Sequence, residues 1–198
     1  MYQFQMGIKR LLDIVLCLLI LILAFPLFLL LALLVRLSSP GPIFFVQERV
    51  GWNGRPFHII KFRTMTGKPA KSVTTWTKAD EARITPVGGF LRDYGLDELP
   101  QVLNILKGDM SIVGPRPPLP AQVENWTEDQ RKALEMRPGV LSLAAIEGRR
   151  SIPMEKRIEL HAQYVRDWSL ELDLIILWRA LFVVLSKQGA TEAVTESV

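Results

Sequence analysis

The chain reads as an α+β fold, mostly helical. Three features predict it. A long apolar run near the start is interrupted by a proline. One pair of strand-like segments flanks an Asn-Gly turn. The remainder breaks into short helical stretches with recognisable start and stop signals. The 198 residues suit one folded domain plus a membrane segment. We divide them into an anchor over 1–39, a cytosolic folded domain over 40–188 and a disordered tail over 189–198.

The anchor comes first. Leu11 to Val35 is apolar except for Asp13, with Lys9 and Arg10 before it and Arg36 after it. Spanning a bilayer takes about 20 apolar residues. A signal peptide has a shorter apolar region, about 7–15 residues, followed by a small-residue cleavage site. This run is longer and continues into Leu37-Ser38-Ser39-Pro40, so it reads as a retained segment. Pro26 lies near its middle. Proline has no N–H for the carbonyl four residues back, and its ring clashes there, so a kink is expected. Two geometries are open at this point: a bent helix that crosses, or one that turns back and leaves on the side it entered. Basic residues at both ends suit the second, because positive charge favours the cytoplasmic side.

Pro40-Gly41-Pro42 ends the anchor. Ile43 to Val50 predicts a strand, Trp52-Asn53-Gly54-Arg55 a tight turn, and Pro56 to Met65 the returning strand of a small β-hairpin. Alternation puts Phe57, Ile59, Lys61 and Arg63 on one face. Gly67 to Asp80, rich in Lys, Thr and Ser, predicts a surface loop that could serve as a lid. Thr85-Pro86 starts a short helix carrying Arg92, an N-cap followed by proline at the first helical position. Asp97 predicts the cap of a second helix, with Leu99, Val102, Leu103 and Leu106 on its apolar face and Gly108 as its stop. Met110 to Val113 predicts a short buried strand. Gly114-Pro115-Arg116-Pro117-Pro118 is a stiff loop that holds Arg116 with little freedom. Glu124 to Met136 and Pro153 to Tyr164 predict helices, joined through the Arg137-Pro138-Gly139 turn and the basic loop at Glu147-Gly148-Arg149-Arg150. Leu170 to Leu185 mixes apolar residues with Trp178 and Arg179, which suits a helix packed on the core or lying in a membrane interface.

Composition narrows the chemistry. A net charge of +4 fits anionic partners such as phospholipid heads, nucleotides or nucleic acid. The basic residues form no long run and do not interleave with aromatic residues, which argues against a nucleic-acid platform. The single cysteine, Cys17, excludes an intramolecular disulfide and a Cys-based zinc site. Only two histidines, His58 and His161, argue against a histidine metal site.

Asp97-Glu98 is the densest chemical signal. Phosphoryl chemistry needs charge neutralisation and an aligned nucleophile. A carboxylate can be that nucleophile, and a carboxylate can also hold Mg²⁺ beside substrate phosphates. At a helix start, backbone N–H groups would keep Asp97 ionised. Taken alone, the pair reads more readily as a helix cap with an acidic first turn. Its setting, with Lys61, Arg92 and Arg116 nearby in the chain's logic, points to phosphate.

The residues then identify a resemblance. Lys61-Phe62-Arg63-Thr64-Met65, Leu96-Asp97-Glu98-Leu99-Pro100-Gln101, Asn104, Lys107-Gly108-Asp109-Met110-Ser111, Val113-Gly114-Pro115-Arg116-Pro117 and Arg137-Pro138-Gly139 together resemble the small monotopic phosphoglycosyl transferases. These belong to the bacterial sugar transferases that begin lipid-linked glycan assembly, and the match covers most of the chain. The resemblance implies transfer of a phospho-sugar from a UDP-sugar to polyprenol (undecaprenyl) phosphate with release of UMP. It implies Asp97 as nucleophile, Glu98 assisting it, Mg²⁺ held with Asp97, and Lys61, Arg92 and Arg116 binding phosphate. It also implies a re-entrant membrane helix broken near Pro26, a helical catalytic domain with interfacial helices, and a place on the cytoplasmic face of the bacterial inner membrane. Expected partners are the UDP-sugar, polyprenol phosphate and membrane phospholipids, with no nucleic acid, and a homodimer is left open. The chain departs from many relatives at Val140–Ala145, where a Gly-Trp-Ala-Gln-like run is usual, at Glu147-Gly148-Arg149 in place of Asn-Gly-Arg, and at Phe25, where a Ser commonly precedes the proline. Two other classes would use the same residues: a membrane-tethered module that holds anionic lipid or nucleic acid, and a membrane phosphatase using the same aspartate.

Overall fold

A computed structural model describes residues 2–67, 78–148 and 152–185. The central part of the expected lid, the basic positions 149–150 and the tail lie outside the described residues. The first two elements are helices α1 (Tyr2–Leu23) and α2 (Phe25–Ser38), which meet at Ala24 with a bend of 67°. Pro26 sits in the first turn of α2, where its missing N–H costs little. The ladder resumes at once, with Phe28 N donating to the Ala24 carbonyl at 2.8 Å. No single helix among the described residues is long and apolar enough to cross a membrane, but this bent pair is by length and composition.

The pair is not apolar all round. Lys9, Asp13 and Cys17 recur at four-residue spacing and are buried on one stripe of α1; Leu31 and Val35 do the same on α2. The opposite face leaves Leu11, Leu18, Leu19, Ile22, Leu29, Leu30 and Leu33 exposed. Cys17 of the first stripe and both residues of the second bury against a hairpin of β1 (Phe44–Val50) and β2 (Pro56–Phe62), antiparallel with Phe44 opposite Phe62 and Val50 opposite Pro56. Its loop turns at Asn53 and Gly54, with φ of 53° and 75°, the left-handed conformations that Asn-Gly favours.

The return strand ends at Phe62, three residues before its expected end at Met65. Arg63 leaves the strand face. Its Nη2 donates to Ser39 O at 2.7 Å, Ser39 Oγ at 3.0 Å and Val35 O at 3.2 Å, tying down the end of α2. Thr64 O instead accepts from Thr85 N, and Met65 makes an isolated bridge with Ile84.

After the short helix α3 (Lys78–Glu81), α4 (Pro86–Asp93) starts as expected, with Thr85 Oγ1 accepting from Gly88 N at 2.9 Å. Then come α5 (Gln101–Lys107), β3 (Ser111–Val113), α6 (Pro120–Val123), α7 (Glu128–Arg131), β4 (Gly139–Leu141), α8 (Leu143–Glu147), α9 (Met154–Arg166) and α10 (Leu170–Leu185). The single helix expected over Glu124–Met136 is broken. Thr127 and Gln130 form a capping box that begins α7 afresh, and a 3-10 turn follows at Lys132–Leu134. The departure at Val140–Ala145 is built into β4 and α8.

β3 and β4 pair in parallel, Ser111 with Gly139 and Val113 with Leu141. The two backbones approach so closely that a Cβ at Gly139 would collide with Gly114, and one at Gly114 with the carbonyl of Arg137. Only glycine fits either position. Three apolar clusters hold the body. One joins α1, β2 and α5 through Cys17, Phe57, Ile59, Val102, Ile105 and Met110. Another joins α2, β2 and α4 through Leu31, Val35, Phe62 and Leu91. The third gathers α9 and α10 around Tyr164, Trp168 and Ile176.

Candidate active site

Three elements bring the site together. Lys61 stands near the end of β2. The 3-10 turn Leu96–Glu98 follows α4 and carries Asp97 and Glu98. The loop after β3 carries Arg116. Asn104 on α5, the helix that follows this turn, ties α5 to β2: its Oδ1 accepts from Ile60 N at 3.0 Å and its Nδ2 donates to His58 O at 2.8 Å. The side chain thereby acts as a surrogate strand neighbour for β2, one residue from Lys61.

Asp97 does not cap a helix. α5 begins at Gln101 with Pro100 at its N-cap and no side-chain cap bond, and Asp97 lies inside the preceding 3-10 turn. Freed from a cap, Asp97 faces the cations. The expectation that a helix start keeps it readily ionised is also corrected: burial pushes its carboxyl up, with Lys61, Arg92 and Arg116 opposing and Glu98 adding to the rise.

Glu98 behaves differently. Its Oε1 accepts from Lys61 Nζ at 2.5 Å and from Arg116 Nη2 at 3.1 Å. Burial works to raise its pKa, but Arg116 and Lys61 together hold it down to about 2. Burial lowers the Lys61 pKa, against the pull of Glu98. Adjacent carboxyls are thus pushed in opposite directions: a fixed anionic hub at Glu98, and a more basic carboxylate at Asp97. Among the described residues Asp97 accepts no hydrogen bond, so its oxygens face the cations without being tied to any of them.

Arg116 is held from both flanks of its loop. Gly139 N donates to Pro115 O at 2.8 Å, and Lys9 Nζ donates to Val113 O at 2.8 Å. On the far side Arg49 Nη1 donates to Pro117 O at 3.1 Å and Val50 N to Pro118 O at 3.0 Å. Sequence reasoning missed Arg49. Its position on the strand pairing with the Lys61 strand was the available signal, since a hairpin partner must lie within reach of the same site. It also missed the inward role of α1. Asp13 Oδ1 accepts from Ile112 N at 2.9 Å and Ser111 Oγ at 3.1 Å, and Arg10 donates to the carbonyls of Ile105 and Leu106 at the end of α5. Arg63 is absent from the site for the reason given above.

The structure therefore brings Lys61, Asp97, Glu98 and Arg116 together, with Arg92 in electrostatic range of Asp97. The model of the family described as bacterial sugar transferase matches residues 4–187. The chain belongs to the bacterial sugar transferase family. It is 41% identical over 184 residues to the uncharacterized sugar transferase EpsL of Bacillus subtilis (strain 168), covering 93% of this chain and 90% of that protein. It is 42% identical over 188 residues to the UDP-glucose:undecaprenyl-phosphate glucose-1-phosphate transferase of Escherichia coli (strain K12), covering 89% of this chain but 40% of that protein. It is 37% identical over 197 residues to the exopolysaccharide production protein ExoY of Sinorhizobium fredii (strain NBRC 101917 / NGR234), covering 92% of this chain and 87% of that protein. This sugar transferase thus matches relatives along nearly its whole described length, and the matched span contains every residue of the site.

Proposed function

We propose that this sugar transferase moves a phospho-sugar from a UDP-sugar to polyprenol phosphate, of the undecaprenyl type, and releases UMP. The observation that carries the reading is the Asp97-Glu98 pair: one carboxylate is clamped between Lys61 and Arg116, and its neighbour is raised by burial and left untied. Raising a carboxylate makes it more basic and a better nucleophile, while the surrounding cations keep enough of it ionised. The named activity of the Escherichia coli relative supports the same donor and acceptor classes.

The reaction runs in two displacements. An Asp97 carboxylate oxygen attacks the phosphorus bonded to the sugar oxygen. A new P–O bond forms as the bond to the bridging oxygen breaks, and that electron pair leaves on UMP. A phosphate oxygen of polyprenol phosphate then attacks the same phosphorus, and the Asp97 oxygen leaves as carboxylate. No proton moves in either step. Lys61, Arg92 and Arg116 offset the charge that gathers on the phosphoryl oxygens. Glu98 keeps Lys61 and Arg116 in place.

Mg²⁺ takes oxygen ligands and is commonly held by one or two carboxylates plus substrate phosphates. Glu98 is taken up by two cations, and no group of three His, Cys, Asp or Glu side chains converges among the described residues. Asp97 is the carboxylate left to hold such an ion, which would supply neutralisation of phosphate charge.

The acceptor is a lipid, which favours a site held at a membrane. On this reading α1 and α2 form a re-entrant pair, entering and leaving the cytoplasmic face of the bacterial inner membrane with their exposed leucines toward phospholipid. Leu174, Ile175, Trp178, Leu181 and Phe182 on the exposed side of α10 suit the interface. The product would feed assembly of a polysaccharide, O-antigen or glycoprotein glycan.

The test is incubation of the purified protein with Mg²⁺, a panel of UDP-sugars and polyprenol phosphate. UMP and a lipid-linked sugar diphosphate should form together. With labelled UDP-sugar and no acceptor, label should stay on the wild-type protein and not on Asp97→Ala. Turnover surviving in Asp97→Ala would sink the nucleophile assignment.

A further inference from the structure

Arg49 has a role that the mechanism above does not use. It lies on β1, opposite Phe57 of the strand that bears Lys61. Its fork is only partly occupied: Nη1 donates to Pro117 O and Nη2 to Gln47 Oε1 at 2.7 Å, while Nε is buried without a hydrogen-bond partner. A buried charged donor left unpaired is costly, and one beside a reaction centre is most simply explained by a partner that arrives with the substrate. The charge balance agrees. Around the site the cations Arg49, Lys61 and Arg116 outnumber the carboxylates Asp97 and Glu98, and a positive excess suits phosphate. The arrangement also places Arg49 and Arg116 in mutual repulsion, and burial with that repulsion lowers the Arg49 pKa to about 10. An anion between them relieves both.

We infer that Arg49 is a further phosphate-binding residue, paired with Arg116, that receives the phosphate remaining on UMP. This rests on the transfer reading above. It extends to the second displacement, because the acceptor must attack the face of the phosphorus from which UMP left, opposite Asp97. The phosphate of polyprenol phosphate then occupies the place vacated by the phosphate of UMP, and one arginine serves both in turn.

The experiment compares product inhibition by UMP and by uridine in the full-length wild-type protein, Arg49→Gln and Arg49→Lys, together with the KM for UDP-sugar. A lost charge-assisted hydrogen bond of the usual strength predicts a rise of about tenfold or more in the UMP inhibition constant and the KM for Arg49→Gln. Inhibition by uridine, which has no phosphate, should not change. Arg49→Lys keeps the charge and loses the second donor, and should rise by about threefold. A fall in kcat with an unchanged UMP constant would overturn the proposal and leave Arg49 only holding the Pro117 carbonyl. An unchanged UMP constant in Arg49→Lys overturns it even where Arg49→Gln does not fold. Wild-type protein whose UMP binding depends on Arg49 but which forms no lipid product would defeat the transfer reading and keep this one. Lipid product with Arg49-independent UMP inhibition would do the reverse.

Discussion

Glu98 and His161 are both shifted by Arg116, in ways that separate on the pH axis. Glu98 is an acid held down to about 2 in the folded protein, from an ordinary 4.5. Its stabilisation is present above the ordinary value and is lost as pH falls from about 4.5 through about 2. For a carboxylate this well covered, the shift corresponds to on the order of 3 kcal/mol. His161 is a buried base, pushed down to about 4 by burial, Arg116 and Arg157. It folds neutral, so its contribution is lost as pH falls from about 6.5 through about 4. Asp97 opposes: raised in the fold, it is relieved by protonation. Thermal unfolding against pH should therefore show two acid limbs in the wild type. Glu98→Gln should flatten the lower limb and leave the upper one. A single limb unaffected by Glu98→Gln would refute the clamp. At this scale the sequence was informative about identities and silent about pairing. Asp97, Glu98, Lys61 and Arg116 stand out by residue type and spacing, but only the 3-10 turn shows that Asp97 faces the cations instead of capping α5.

Among the elements, helix starts and turns marked by local chemistry were legible. Thr85-Pro86 and Asn53-Gly54 form what their short-range preferences dictate. Ends governed by distant partners were not. β2 stops at Phe62 because Arg63 is drawn to Ser39 and Val35, and no local signal encodes that. α7 is the opposite case: Thr127 and Gln130 form a local capping box that restarts the helix, a Thr-x-x-Gln signal that reading the whole stretch as one helix passes over. The bend at Ala24 was legible from Pro26, but the side on which each end emerges depends on the membrane. Single cysteines placed at Gln3 and at Leu37, in a Cys17→Ser background, should both label from the cytoplasmic side of intact vesicles. Labelling from opposite sides would exclude the re-entrant arrangement and leave a bent crossing helix.

Across the whole molecule, the N-terminal helix is bolted to the body by charge. Lys9 Nζ meets Asp173 Oδ2 at 2.6 Å, Asp173 Oδ1 accepts from Tyr164 OH at 2.6 Å, and Trp168 Nε1 donates to the same carboxylate. All of this is buried. Removing one partner strands a charge and should cost about 3–5 kcal/mol, whereas replacing both with apolar side chains costs much less. Lys9→Met and Asp173→Leu should each lower the unfolding temperature sharply, and the double variant should recover most of the loss. Additive single effects would show that the pair is not coupled. The sequence gives Lys9, Arg10 and Asp13 the appearance of ordinary flanking charges and a blemish in an apolar run. Their buried partners lie on β3, α5 and α10, and a contact across that much chain leaves no trace in local pattern.

That same bond sets a schedule. Lys9 and Asp173 are separated by 164 positions, so the lysine leaves the ribosome long before its carboxylate exists. At about 5–20 residues per second the interval is roughly 10–30 s. Asp13 finds Ile112, 99 positions later, well before that. The first helix therefore docks in two stages, and the nascent chain carries an unmatched positive charge on an apolar helix until nearly its last helix is made. A ribosome-bound chain stopped before Asp173 should hold α1 through Asp13, Arg10 and Cys17 but not through the Lys9 ion pair, exposing Lys9 to amine-reactive reagents that the finished protein excludes.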